Sequence, residues 1–192
     1  MNDVHAQAAP GDSTADPHWH LADGTRIGVR ALRPDDRELE VEFLQSLSDQ
    51  TRYSRLMTPL RYLSRDLLDL LMDVNDVNRA ALVATVMKDG REKFVGVARY
   101  AAGAVAGEAE LGITVADAWQ QRGIAAELIG RLFEHARKRG IRRIVGFVLP
   151  DNDRMLALAR KLGFTVHLDA ASRLMHIEKD LTSPSELVGR ST

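Results

Sequence analysis

The chain has 192 residues, with 26 Lys and Arg against 27 Asp and Glu, a formal net charge of −1 and 45% hydrophobic residues. This length suits one well-cored domain, and the near-neutral balance removes any bulk electrostatic case for nucleic-acid binding. Cysteine is absent, which excludes a disulfide framework, a thiolate nucleophile and a thiolate zinc site. No apolar run approaches the ~20 residues of a membrane span.

Residues 1–20 are polar and lack the apolar core of a signal peptide. They are expected to be a disordered N-terminal segment, followed by a folded domain over 21–181 and a flexible tail over 182–192. A cytoplasmic location is expected, with no membrane or nucleic-acid partner. His5, His18 and His20 lie in the first segment. No carboxylate or histidine pair at helical spacing supports a metal site there, so no metal is expected.

Thr25 to Ala31 reads as a first strand, flanked by Gly24 and Pro34. Pro34-Asp35-Asp36 opens a helix that either aspartate can cap, with Leu39, Phe43, Leu44 and Leu47 as its apolar stripe. Gln50 to Leu63 reads as a connecting turn or short helix. Ser64 is a plausible cap for a second helix ending near Met72. The period then changes. Ala80 to Met87, Lys93 to Tyr100 and Glu108 to Val115 read as three strands of a meander, the first two joined by a turn at Lys88-Asp89-Gly90. The longest amphipathic helix follows, with Ile124, Leu128, Leu132, Phe133 and Ala136 on one face and Gly140 as its stop. Then come a strand from Arg143 to Leu149, a helix from Asp151 to Leu162 ended by Gly163, and two closing strands, Phe164 to Leu168 and Arg173 to Lys179. The order predicts a single α/β domain. Its antiparallel strands come first and a βαβ crossover follows.

Some residues read as structural. Arg131, Arg137, Lys138, Arg139, Arg142 and Arg143 form a solvated basic face. His135 is expected on the surface. Trp119, His167 and His176 are expected to pack.

Val115 to Ala126 (VADAWQQRGIAA) lies between a strand and the long helix. A helix N-terminus presents unsatisfied N–H groups and partial positive charge, a natural seat for a pyrophosphate. Gly123 removes a side chain there, and Ala125 and Ala126 keep the next positions small. The same residues also suit a plain strand-to-helix turn with an incidental glycine. The segment is neither a P-loop nor a dinucleotide fingerprint, because it lacks both the Gly-Lys-Ser/Thr and the three-glycine spacing.

Gln120-x-x-Gly123-x-Ala125 resembles the Gln/Arg-x-x-Gly-x-Gly/Ala signature of the GNAT superfamily of N-acetyltransferases. Asn152 through Lys161-Leu162-Gly163-Phe164 resembles that family's second signature, and the resemblance spans roughly Thr25 to Lys179. It implies a mixed, mostly antiparallel sheet of about seven strands flanked by helices, with splayed central parallel strands, and an N-acyltransferase using acetyl-CoA as cosubstrate. The backbone of Gln121, Arg122, Gly123, Ile124, Ala125 and Ala126, together with Gln120, would hold the coenzyme's pyrophosphate. Ile113, Thr114 and Val115 would pair with the pantetheine arm, and Asn152 would lie against it.

A free lysine amine, with a pKa of about 10.4, is mostly protonated at neutral pH, so a base must take a proton before it attacks a thioester. Glu110 is the candidate. It lies on a strand, where glutamate is disfavoured, and a glutamate at the matching family position acts as base. It is expected to be buried, with Glu108 nearer a solvent-exposed strand end. Ala159 stands where many members carry a tyrosine acid. Arg30, Arg33 to Asp36, Leu47-Ser48, Thr51, Tyr53 and Arg55 look like the bacterial protein lysine acetyltransferase subgroup. The expected acceptor is therefore a protein lysine. A small-molecule amine, a protein N-terminus, or a non-catalytic acyl-CoA-binding role is the alternative.

Overall fold

The computed structural model describes residues 18–57, 63–75 and 77–182. Eight strands form one sheet: β1 His18–His20, β2 Arg26–Ala31, β3 Arg79–Lys88, β4 Arg91–Ala102, β5 Glu108–Val115, β6 Arg143–Val148, β7 Thr165–Leu168 and β8 Met175–Asp180. Their spatial order is β1-β2-β3-β4-β5-β6-β8-β7. Only β5 and β6 run parallel, and every other neighbouring pair is antiparallel. Five helices flank the sheet: α1 Arg37–Ser46, α2 Asp49–Leu56, α3 Arg65–Met72, α4 Ile124–Lys138 and α5 Asp153–Lys161.

Strand alternation sorts side chains onto two faces. One face carries Ile27, Val29, Ala84, Ala98, Tyr100, Ala109 and Leu111, and packs with Ile124, Leu128, Ile129, Leu132 and Phe133 of α4 and with Leu156 and Ala159 of α5. Leu128 and Leu132 are both 0% exposed, and full burial of each stabilises the fold by roughly 1.5–3 kcal/mol. The opposite face carries Ala81, Val83, Phe94 and Val97 against Phe43, Leu44 and Leu71 of α1 and α3. α1 and α3 thus lie on the face away from α4 and α5, and α2 packs against β5.

Four sequence expectations change. β1 is a strand inside the segment expected to be disordered, because His18, Trp19 and His20 pair with Gly28, Ile27 and Arg26. Residues 1–17 and 183–192, which carry the remaining expectations about the termini, lie outside the described residues. The sheet therefore has eight strands where about seven were expected. Neither Asp35 nor Asp36 caps α1 through its side chain: Pro34–Asp36 is a separate 3-10 turn. The Asp36 carboxylate instead accepts from the Arg33 N–H at 2.7 Å and pairs with Arg30. His135 is half-buried rather than fully on the surface, its Nδ1 lying 3.2 Å from the Tyr100 hydroxyl. No helix among the described residues is long and apolar enough to cross a membrane.

Candidate active site

The parallel ladder between β5 and β6 is short. Glu108 pairs with Arg143, Ala109 with Ile144 and Glu110 with Val145, and pairing then stops. β5 continues to pair with β4 as far as Val115, opposite Gly96. Its other edge, over Leu111–Val115, therefore faces β6 without a ladder. The fork opens a cleft of about 750 Å³, within the range of small-molecule and cofactor sites. Ile113, Thr114 and Val115 line it, as do Gly146, Phe147 and Val148 across the gap. Unpaired strand edges bind extended ligands through their main chain.

The turn into α4 closes one end of the cleft. Gly123 is the N-cap residue, with φ 88°, a conformation that L side chains adopt only under strain. A β-carbon at Gly123 would meet nothing within 4 Å, so the space ahead of it is open. Gln121 also takes positive φ, 61°. The first return bond of the helix runs from the Glu127 N–H to the Gly123 carbonyl at 3.1 Å. Among the described residues nothing accepts from the N–H groups of Gln121 to Ala126. All of these residues but Arg122 line the cleft beside the positive helix end, an arrangement that suits an anion.

Gln120, Gln121, Gly123, Ile124, Ala125, Ala126 and Asn152 all line the cleft, while Arg122 does not. The Arg122 guanidinium pairs with Asp23 and lies 4.8 Å over the Trp119 ring. Gln120 joins three elements. Its amide nitrogen donates to the Val115 carbonyl at 3.1 Å and to the Thr51 hydroxyl at 3.3 Å, and its oxygen accepts from Arg154 at 3.3 Å. Asn152 caps α5, its side-chain oxygen accepting from the Met155 N–H at 3.1 Å.

Sequence reasoning missed Asp117, which ties α2 to this turn. Its carboxylate accepts from the Ser48 N–H at 2.9 Å, the Ser48 hydroxyl at 2.8 Å and the Thr51 hydroxyl at 2.7 Å. Burial disfavours its charge, but the donors from Ser48 and Thr51 outweigh that and hold the carboxyl below its usual range. Ser48 and Thr51 carried part of the family resemblance, and Asp117 carried no signal of its own.

The two strand glutamates reverse their expected environments. Glu110 is exposed and Glu108 is half-buried, with Glu108 paired to Arg143 at 2.6 Å. Glu110 was expected to be buried, but its register partner is the last residue of the ladder, so the fork opens beside it. It does not line the cleft. By alternation it projects from the sheet face opposite α4, at the point where the strands part. Among the described residues its carboxylate has no ion pair or hydrogen bond.

Arg55, part of the subgroup resemblance, reaches the cleft from α2. Its guanidinium lies against Gly112, where a β-carbon would stand only 2.6 Å from Cζ. Ala159 is 0% exposed within the core and offers the cleft no proton donor. His167 and His176 meet at a tilt, with ring centroids 4.8 Å apart and planes 57° apart, and His176 also meets Phe147 at 5.2 Å.

A family model described as an acetyltransferase (GNAT) domain matches residues 26–165. An acetyltransferase of Pseudomonas aeruginosa, PA5475, is 38% identical over 154 residues, covering 79% of this chain and 83% of the relative. The acetyltransferase Pat of Mycolicibacterium smegmatis is 32% identical over 136 residues, 70% of this chain but only 40% of that protein. The crystal structure of the GNAT domain of S. lividans PAT superposes with a TM-score of 0.77 at 32% identity, covering 85% of this chain and 95% of that one. An N-acetyltransferase from Thermoplasma acidophilum solved with coenzyme A shares the fold, with a TM-score of 0.58 at 17% identity, covering 80% of this chain and 98% of that one. The forked sheet, the anion-ready turn and these matches together place the chain in the GNAT acetyltransferase family, whose members transfer an acyl group from acetyl-CoA.

Proposed function

We propose that the protein is an acetyl-CoA-dependent N-acetyltransferase whose acceptor is a lysine side chain of a protein. The observation that carries the reading is Glu110, an unpaired carboxylate at the point where β5 and β6 part. The resemblance of Arg30, Arg33 to Asp36, Thr51, Tyr53 and Arg55 to the bacterial protein lysine acetyltransferase subgroup supports a protein acceptor, and a cytoplasmic setting is part of the same reading.

The N–H groups of Gln121 to Ala126 would hold the pyrophosphate. The open edge of Ile113, Thr114 and Val115 would pair with the pantetheine arm, with Asn152 across the cleft. Acetyl-CoA supplies an activated acetyl thioester. Glu110, reached from the other face of the sheet, would take the proton that a lysine ammonium must lose before its nitrogen can attack. With Ala159 buried, the thiolate would leave without a tyrosine acid; a thiol of pKa about 8.5 is a tolerable leaving group.

The test is mass spectrometry of lysine-containing proteins incubated with labelled acetyl-CoA and the enzyme. Label on lysine side chains is expected. Label only on small amines or protein N-termini would replace the acceptor. Coenzyme binding with no transfer to any amine would make the chain a non-catalytic acyl-CoA-binding module, a reading motivated by Ala159.

A further inference from the structure

The cleft has two electropositive ends. One is the turn into α4, with its free N–H donors. The other is the fork end, lined by Leu111, Gly112 and Gly146, where Arg55 enters from α2. Among the described residues, no group pairs with the Arg55 guanidinium or accepts a hydrogen bond from it. Two carboxylates act on it through space without direct contact. Glu40 pairs through Oε1 with Arg99 at 2.7 Å, and both Glu40 and Glu110 act on Arg55 electrostatically without an ion pair to it. Desolvation, then repulsion from Arg99, brings its pKa down to about 10 against the pull of Glu110 and Glu40, so it stays charged at neutral pH.

A cation in a cleft with no ion-pair or hydrogen-bond partner favours an anionic ligand, because a partly desolvated charge left without a direct partner is costly. An acetyl group is neutral and cannot supply that partner. Nor can the acceptor amine, which is cationic until it loses a proton. With the pyrophosphate seated at the α4 turn, the group that reaches the fork is the acyl chain. We propose that Arg55 reads a carboxylate at the end of the acyl chain, giving the enzyme a second class of donor beside acetyl-CoA: coenzyme A thioesters of short dicarboxylic acids. The glycine at 112 is part of this site, since any β-carbon there would displace the guanidinium. Transfer would balance as for acetyl. The amine nitrogen bonds to the acyl carbon, the carbon–sulfur bond breaks with its electron pair leaving on sulfur, and the amine proton goes to the base. The distal carboxylate is unchanged.

The inference rests on coenzyme A binding in the forked cleft, so the experiment separates the two. Calorimetry would compare coenzyme A, acetyl-CoA, butyryl-CoA and succinyl-CoA on the wild-type protein and on Arg55→Met. Butyryl and succinyl have the same chain length and differ by the charge. A charge-assisted contact predicts that wild type binds succinyl-CoA about tenfold more tightly than butyryl-CoA. Arg55→Met should erase that preference, and Arg55→Lys should restore part of it, as a point charge without the guanidinium fork. Equal wild-type affinity for succinyl-CoA and butyryl-CoA overturns the assignment with no variant needed. A preference that survives in Arg55→Met overturns it too. Failure of coenzyme A itself to bind would remove the cleft reading beneath it.

Discussion

Thr51 on α2 donates its hydroxyl to the Asp117 carboxylate at 2.7 Å, fastening the helix that carries Arg55 to the turn that precedes α4. One aspartate thus sets the distance between the two ends of the cleft, through three donors on a separate stretch of chain.

Asp117→Asn should loosen this latch. The folded carboxyl lies below its usual value of about 3.9, so its stabilisation is complete above that value and is lost as pH falls through the folded pKa. At neutral pH the variant should lose about 1 kcal/mol, a modest figure because solvent screens the site. The gap from wild type should close below about pH 4. Urea unfolding at several pH values checks the sign, and faster hydrogen exchange in α2 checks the location.

Glu40 is 1% exposed and pairs with Arg99, which also donates to the Leu71 carbonyl at 2.6 Å. Removing one member of a buried pair strands the other. Glu40→Ala should therefore destabilise the fold by about 3–5 kcal/mol. A replacement of both residues by apolar side chains should be much milder. Denaturant midpoints of the single and double variants measure this.

Gly123 separates backbone strain from charge. Gly123→Ala should reduce stability by about 1 kcal/mol, since φ is 88°, yet leave room for a ligand because the space ahead is open. Gly123→Glu sets a carboxylate before the same N–H donors and should abolish acetyl-CoA binding. Calorimetry on the folded variants reads the difference. Unchanged affinity in Gly123→Glu would remove the turn from the coenzyme site.

The parts legible in sequence were those with a strong local period or a conformational marker. Glu108–Val115 was read with the bounds the fold gives it, and α4 was bracketed by Gly123 and Gly140, both at positive φ. The three residues of β1 are too few to carry a period, and they become a strand only because β2 supplies an edge. The exposures of Glu108 and Glu110 came out reversed because alternation gives a face and not where a ladder ends. Here the ladder ends at Glu110. Arg55 and Asp117 were opaque for a related reason: each acts across α2 and β5 or its following turn, and the glycine that admits Arg55 lies 57 positions on, at 112.

Glu110→Gln tests the base. The amide keeps the volume and most of the hydrogen-bonding capacity, and residue 110 does not line the cleft, so acetyl-CoA affinity should be retained. Loss of a positioned general base lowers turnover by about 10²–10⁴ at neutral pH. The defect should shrink as pH rises toward the amine's own pKa of about 10.4, because more acceptor is then already neutral. Glu108→Gln is the internal comparison. That residue shares the strand face but is held by Arg143, so its loss should affect stability more than rate. With Ala159 in the core, the wild-type pH profile should also lack a descending limb from a tyrosine at that position. Rate profiles of the three proteins across pH 6 to 10 read all of this together. Wild-type turnover by Glu110→Gln at neutral pH would make Glu110 structural and move the base to Glu108 or a water. Loss of coenzyme affinity in that variant would instead show that residue 110 shapes the fork itself.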